Sequence, residues 1–124
     1  MITILFDGKC SLCAKEIKYY QKIAPKGIFK WCDVTIDHSI LDQYNLSQSQ
    51  ALLYLHAKDD KGDMHIGVDA FIIIWSKLQQ FKTLAKIISF PVIYQIAKII
   101  YRIFAKIRFN NLDHCKISLN CDKK

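Results

Sequence analysis

The sequence is poor in glycine and proline and contains no internal repeat. Only four Gly and two Pro occur in 124 residues, which excludes a collagen-like chain and a Pro/Gly-rich disordered segment. No period of about 20 to 50 residues is present, so solenoid and propeller arrays are excluded as well. With 52% hydrophobic residues, the chain can bury a core, and its length fits a single domain.

The N-terminus lacks a basic segment ahead of its first apolar run, which Asp7 ends after six residues. A secretory signal peptide needs a longer apolar stretch, about 7 to 15 residues, behind a positively charged start. We therefore expect a cytoplasmic protein, in which thiols stay largely reduced. The five cysteines are too few and too clustered for a disulfide-stapled mini-protein, so redox or metal chemistry is the better expectation for them.

Acidic residues are scarce in the C-terminal part of the chain. Residues 71–124 carry ten Lys and Arg against Asp113 and Asp122 alone, whereas residues 1–70 carry eight Lys and nine acidic residues. The net charge of +7 therefore comes from the C-terminal part. A solvated helix face is the simplest explanation, so no nucleic-acid partner is expected, and contact with an anionic membrane surface is the alternative.

Apolar periodicity predicts alternating strands and helices over residues 1–80, which we expect to form the core with the reactive site. The predicted elements are a strand at Ile2–Phe6, a helix at 11–24, a strand at 28–34, a short helix from Asp37 or Ser39 to about 44, a strand at 51–57, a strand at Met64–Ile66 and a helix from 67 to about 80. A βαβ unit followed by a β-hairpin and a helix predicts the α/β class with a mixed four-stranded sheet and flanking helices.

Residues 81–109 are predicted to form a C-terminal helical extension that packs on this core. Pro91 divides it into helices at about 83–89 and 92–109. The longer helix has one polar row on an otherwise apolar surface, formed by Gln95, Lys98, Arg102 and Lys106. A cation in every turn argues against a membrane span, and a membrane surface or a partner helix is the alternative cover for the apolar face. Residues 110–124 show no periodicity and are expected to be an irregular tail.

Cys10 and Cys13 form a C-x-x-C pair where the first strand meets the first helix. The first turn of a helix has unbonded N–H groups and a partial positive charge, which favour a thiolate, and Lys9 adds a cation. We predict that Cys10 is the nucleophile and that Cys13 resolves the mixed disulfide. Asp7 is a candidate proton acceptor for Cys13, and its alternative role is to cap the turn.

A bare C-x-x-C is also half of a zinc site. The remaining ligands would have to come from Cys32, His114, Cys115 and Cys121, but the last two are six positions apart and form no second C-x-x-C. The strand–turn–helix context favours redox chemistry. We therefore predict no bound metal, with a zinc- or iron-binding module as the alternative.

The chain resembles a known family at residues 6–13, which read Phe6-Asp7-Gly8-x-Cys10-x-Leu12-Cys13. This resembles the signature of the DCC family of predicted thiol–disulfide oxidoreductases, and residues 67–70 and 101–109 resemble two further motifs of that family. The resemblance implies a thioredoxin-like fold and dithiol–disulfide exchange with Asp7, Cys10 and Cys13 as the motif residues. One departure is that residues 47–51 lack the proline which the wider thioredoxin superfamily usually carries, in the cis form, just before the third strand.

Gly67 and Asp69 stand where the last helix of the core begins. Free N–H groups at a helix start in a thioredoxin-like fold are candidates for holding a substrate carboxylate, such as that of glutathione. The alternative is a turn glycine and a helix-start charge. We expect an oxidoreductase that reduces a protein or small-molecule disulfide with its own redox-active dithiol, without a further cofactor and with glutathione as a candidate co-substrate.

Overall fold

The computed structural model describes residues 1–36, 39–115 and 117. The chain forms the strands and helices β1 (Ile2–Phe6), α1 (Ser11–Ile23), β2 (Phe29–Asp33), α2 (Ser39–Gln43), α3 (Gln48–Leu53), β3 (His56–Lys58), β4 (Met64–Ile66), α4 (Val68–Ser76), α5 (Lys82–Ile88) and α6 (Pro91–Asn111). A 3-10 turn at Gln79–Phe81 links α4 to α5. The predicted α/β class and the two C-terminal helices are present.

The four strands form one mixed sheet in the order β2-β1-β3-β4. β1 runs parallel to β2 and antiparallel to β3, and β3 pairs with β4 as a hairpin. In this register Ile4 of β1 lies opposite Trp31 and Ala57. The sheet and its flanking helices have the predicted thioredoxin-like arrangement, and the carboxyl end of β1 opens directly into the Cys motif.

The side chains of β1 alternate between two hydrophobic clusters, as expected for a strand covered on both faces. Ile4 belongs to the cluster that α1 and α4 cover, with Ile17, Tyr20 and Ile74. Leu5 belongs to the cluster on the other face. This cluster also contains residues of α2, of α3, of the end of α6 and of the segment after α6, namely Ile40, Leu41, Leu52, Phe109 and Cys115. The C-terminal end of α6 is therefore part of the core.

The strand predicted at residues 51–57 is wrong in its first half, because α3 occupies Gln48–Leu53 and β3 begins only at His56. Ser47 starts α3 with a capping box: its Oγ accepts from Gln50 N–H at 3.2 Å, and the Gln50 side chain accepts from Ser47 N–H at 3.3 Å. These two bonds satisfy N–H groups that an extended chain would pair elsewhere. The residues just before β3 are thus Tyr54 and Leu55, and no cis peptide bond occurs among the described residues.

The C-terminal tail differs from the expected irregular segment at its start. α6 continues to Asn111, residues 113–115 are helical, and Cys115 is fully buried. Burial of Phe109 and Cys115 in the second cluster stabilises this helical segment, although its sequence has no helical periodicity. Three residues named from the sequence, Asp37, Cys121 and Asp122, lie outside the described part of the chain.

The length and apolarity of the described helices bear on whether the chain could cross a membrane. No single helix there is both long and apolar enough to cross a membrane. The pair formed by residues 79–88 and 91–111, which meet at 100°, passes the same test of length and composition only when the two are taken together.

Replacing Phe109 by Ala tests whether the end of α6 belongs to the core. Because Phe109 is buried in the second cluster, we expect the free energy of unfolding to fall by about 3 to 5 kcal/mol. Phe90→Ala, at an exposed position on the same extension, should cost less than about 1 kcal/mol. Urea unfolding followed by circular dichroism measures both, and equal losses would contradict the packing.

Candidate dithiol site

Cys10 caps the N-terminus of α1, as the sequence predicts. Its backbone is extended, and its Sγ accepts a hydrogen bond from Cys13 N–H at 3.4 Å. The sulfur thus takes the place that a Ser or Asp side chain has in an ordinary N-cap. This geometry brings the two cysteines together at the positive end of the helix.

The loop before Cys10 requires glycine at position 8. A Cβ there would lie only 1.7 Å from Asp33 Oδ2 at the end of β2. The Asp33 carboxylate is held in place, because its Oδ1 accepts from Gly8 N–H at 3.1 Å and from both the N–H and the hydroxyl of Thr35, at 2.9 and 2.5 Å. The end of β2 therefore fixes the path of the motif loop.

The two thiols differ in exposure. Cys10 is only 2% exposed, whereas Cys13 is partly exposed, and both are reduced. Burial and a hydrogen bond to Cys10 raise the pKa of Cys13 to about 12. Cys13 therefore keeps its proton at neutral pH and donates it toward Cys10 Sγ.

Arg108, near the end of α6, supplies the positive charge of the site. Its guanidinium donates to the carbonyls of Leu52 and Leu53 at 2.7 and 3.0 Å and to Asp7 Oδ2 at 3.5 Å. Burial alone would lower the pKa of Arg108, but the Cys13 and Cys10 sulfurs and a hydrogen bond to Cys10 raise it above its ordinary value. The cation is thus held against the dithiol.

Asp7 is buried at 4% exposure and has more partners than the sequence indicated. It caps the turn by accepting from Lys9 N–H at 3.0 Å. His114 Nε2 lies 2.8 and 2.9 Å from its two carboxylate oxygens, and Cys115 Sγ donates to Oδ2 at 3.7 Å. The turn-capping alternative is present, and the carboxylate also joins the start of the motif to the C-terminal segment.

Within the part of the chain that the structure describes, Cys10, Cys13 and Cys32 are not brought together with His114 and Cys115 as one ligand set. Among the described residues, the cluster of metal-ligating side chains consists of Asp7, His114 and Cys115, whose donor atoms lie within 4.8 Å of one another. Neither Cys10 nor Cys13 belongs to it, and Cys32 lies on β2 instead. The guanidinium 3.5 Å from the same carboxylate opposes a cation there.

A mostly apolar pocket opens beside Cys13. Its walls include Leu12 at the start of α1, Phe71 on α4 and Phe104 on α6, with Arg108 as a cationic member. A disulfide flanked by apolar groups would find complementary surface here.

Comparison with known proteins agrees with this geometry. The chain matches the model of the DCC1-like thiol-disulfide oxidoreductase family over residues 4–112. It belongs to this family. It is also 28% identical over 109 residues to an uncharacterised chloroplastic protein of Arabidopsis thaliana, an alignment that covers 86% of this chain and 50% of that relative. The chain thus spans half the length of the relative, and no solved structure matches it.

Membership of the DCC1-like family supports a thiol–disulfide oxidoreductase role, and the structure brings together the three motif residues, Asp7, Cys10 and Cys13, at one end of the sheet. Sequence reasoning did not predict that Arg108 and His114 contact Asp7. Arg108 falls within the C-terminal motif at residues 101–109, and its place in that motif was the sequence signal that could have marked it as a functional residue. Its position beside the dithiol depends on tertiary contacts that no local pattern encodes.

Gly67 and Asp69 of this DCC1-like chain line a neighbouring pocket with Lys98, Tyr101 and Arg102. Gly67 has φ +67°, and a Cβ there would lie 3.1 Å from the Tyr101 ring, so the position favours glycine for structural reasons. Asp69 accepts a hydrogen bond from Tyr94 at 2.5 Å. Its carboxylate is therefore engaged within the protein.

A double-mutant cycle tests the link between Gly8 and Asp33. Gly8→Ala should displace the Asp33 carboxylate and cost about 2 to 3 kcal/mol of unfolding free energy through its lost hydrogen bonds. In an Asp33→Ala background the same change should cost less than about 1 kcal/mol, because the obstructing group is gone. Urea unfolding of the four proteins measures this, and additive costs would contradict the proposed clash.

Proposed function

We propose that this chain reduces disulfides through Cys10 as nucleophile and Cys13 as resolving thiol. The observation that supports this assignment best is the asymmetry of the pair. Cys10 Sγ accepts hydrogen bonds at a helix N-terminus beside Arg108, while Cys13 retains its proton. Negative charge is therefore best stabilised on Cys10, and the thiolate is the form that attacks a disulfide.

The exchange follows two displacement steps. The Cys10 thiolate attacks one sulfur of the substrate, forming a Cys10–substrate disulfide and breaking the substrate S–S bond, and the departing thiolate takes up a proton. Cys13 then loses its proton, attacks Cys10 Sγ and releases the second substrate sulfur. The substrate disulfide gains two electrons, and the chain is left with a Cys10–Cys13 disulfide that a thiol reductant must reduce.

Asp7 is the proposed proton acceptor for Cys13 in the second step. After burial and the neighbouring sulfur, the charge of Asp7 also contributes to the raised pKa of Cys13, which supports its proximity. The contacts of Asp7 with Arg108 and His114 hold the carboxylate in one orientation. A fixed acceptor is the arrangement that general base catalysis requires.

The substrate is proposed to approach from the Cys13 side. The apolar pocket beside Cys13 offers surface to groups that flank a disulfide. Because Cys10 is only 2% exposed, attack requires a local opening over its sulfur. The reducing direction follows from the cytoplasmic compartment expected for the chain.

The pocket at Gly67 supports glutathione as a candidate co-substrate. Lys98, Arg102 and the N-terminus of α4 supply positive charge there. This pocket shares Tyr54 and Tyr101 with the pocket beside Cys13. Glutathione bound through a carboxylate at the Gly67 pocket would therefore direct its thiol toward the pocket beside Cys13.

Reaction with the chromogenic disulfide DTNB tests the order of the two thiols. In the wild type we expect two chromophores to be released per Cys10–Cys13 pair, because Cys13 resolves the first adduct. Cys13→Ser should release one and keep a stable adduct on residue 10, identified by mass spectrometry of the peptides. Cys10→Ser should lose disulfide reduction and react slowly at position 13. A stable adduct on Cys13 formed at the wild-type rate would overturn the assignment.

Alkylation rates test the charge asymmetry. We expect iodoacetamide at pH 7 to label Cys10 roughly tenfold more slowly in Arg108→Gln, because the guanidinium no longer stabilises the thiolate. Arg108→Lys should recover part of the rate, and Arg102→Gln on the same helix should leave it unchanged. Since the pKa of Cys13 is raised to about 12, its labelling under single-hit conditions should stay slow through about pH 9 and rise only at higher pH. Faster labelling of Cys13 than of Cys10 at pH 7 would contradict the proposed order of the two thiols.

A further inference from the structure

The side of α6 that faces away from the core is apolar and exposed. The helix packs on the core through Ala105 and Phe109, which are buried. Its opposite side exposes large side chains, with Val92 73% and Ile100 60% exposed. The other members of this exposed apolar face are Ile93, Ile96, Ile99, Ile103, Phe104 and Ile107. Single exposed apolar residues are ordinary, but a continuous row of them marks an interaction surface.

The shape of the exposed apolar face favours a flat partner over a single helix. Five isoleucines at 93, 96, 100, 103 and 107 recur every three or four positions and so follow one line along about 21 Å of helix. Val92, Ile99 and Phe104 widen this line on both sides. A two-stranded coiled coil buries a narrower seam and sustains it over more heptads.

The charge around this face favours an anionic partner. Residues 70–112 contain seven Lys and Arg and no acidic residue. Lys98, Arg102 and Lys106 recur every four positions, so they form a cationic row along the polar side of α6, and Lys106 is its member nearest the apolar face. A second copy of this chain would bring the same cations and no carboxylate from this region, so its charge would not be complementary.

We propose that α6 lies on the surface of an anionic lipid membrane, with its exposed apolar face in the interface and its cations at the headgroups. An exposed apolar side on a helix whose charged residues are all Lys and Arg is the composition of interfacial helices. Phe90, which is exposed at the bend between α5 and α6, extends the contact. Phe104 belongs to this face and also lines the pocket beside Cys13, so a bound chain holds that pocket at the lipid boundary. This proposal does not depend on the thiol chemistry.

Vesicle co-sedimentation of the full chain tests the proposal. We expect binding to vesicles of phosphatidylglycerol and phosphatidylcholine at about 0.1 M salt, release at about 1 M salt, and little binding to phosphatidylcholine alone. Ile100→Glu with Ile103→Glu should abolish binding while disulfide reduction persists. The matched control is Ile36→Glu, an exposed isoleucine after β2, which should bind as the wild type does. Lys86→Gln with Lys106→Gln should lower the partition coefficient roughly 30-fold.

Several outcomes would overturn the proposal. The first is a wild-type chain that does not sediment with the anionic vesicles, or one that sediments equally with neutral vesicles and at high salt. Equal loss of binding in Ile36→Glu would remove the role of α6. If sedimentation velocity instead shows an oligomer that Ile100→Glu with Ile103→Glu dissociates, and vesicle binding is absent, a second copy covers this face. Thermal unfolding verifies that each variant is folded, and Ile96→Glu serves as an independent substitution on the same face.

Discussion

The arrangement depends on one cation, the guanidinium of Arg108, whose side chain is only partly exposed. A charge in this position is costly unless it is paired and hydrogen-bonded. Arg108 obtains its partners from three separate parts of the chain, namely the carbonyls at the end of α3, the Asp7 carboxylate and the Cys10 sulfur. Satisfying one charge therefore draws α6, α3 and the motif loop to a common point at the end of the central strand.

The same cation acts on both thiols of the motif, because its charge interacts with the Cys10 and the Cys13 sulfur. Cys10 lies where the helix N-terminus and the guanidinium both stabilise negative charge. Cys13 sits one turn further along, where burial and its sulfur neighbour raise its pKa. The proposed division between attacking and resolving thiol rests on position within one helical turn, and it needs no difference in the residues themselves.

Local patterns were sufficient for the parts of the fold that short-range physics determines. The β-branched run of β1, the amphipathic α1 and the C-x-x-C at their junction were all predicted from adjacent residues. Residues 51–53 were misassigned because a short apolar run fits a buried strand or a buried helix equally well. The Ser47 and Gln50 capping box decided between them. The partnership of Asp7 with Arg108 and His114 spans 101 and 107 positions, and only the tertiary fold reveals it.

The distance in sequence between the motif and its cation also has a consequence for how the protein is made. Asp7 and the two cysteines emerge from the ribosome long before residue 108 has been added. Until α6 has emerged and docked, the nascent chain carries a C-x-x-C without the guanidinium that lies beside it in the folded chain and without the segment that encloses Asp7. The complete set of contacts around the dithiol therefore exists only in a chain whose synthesis has passed the end of α6.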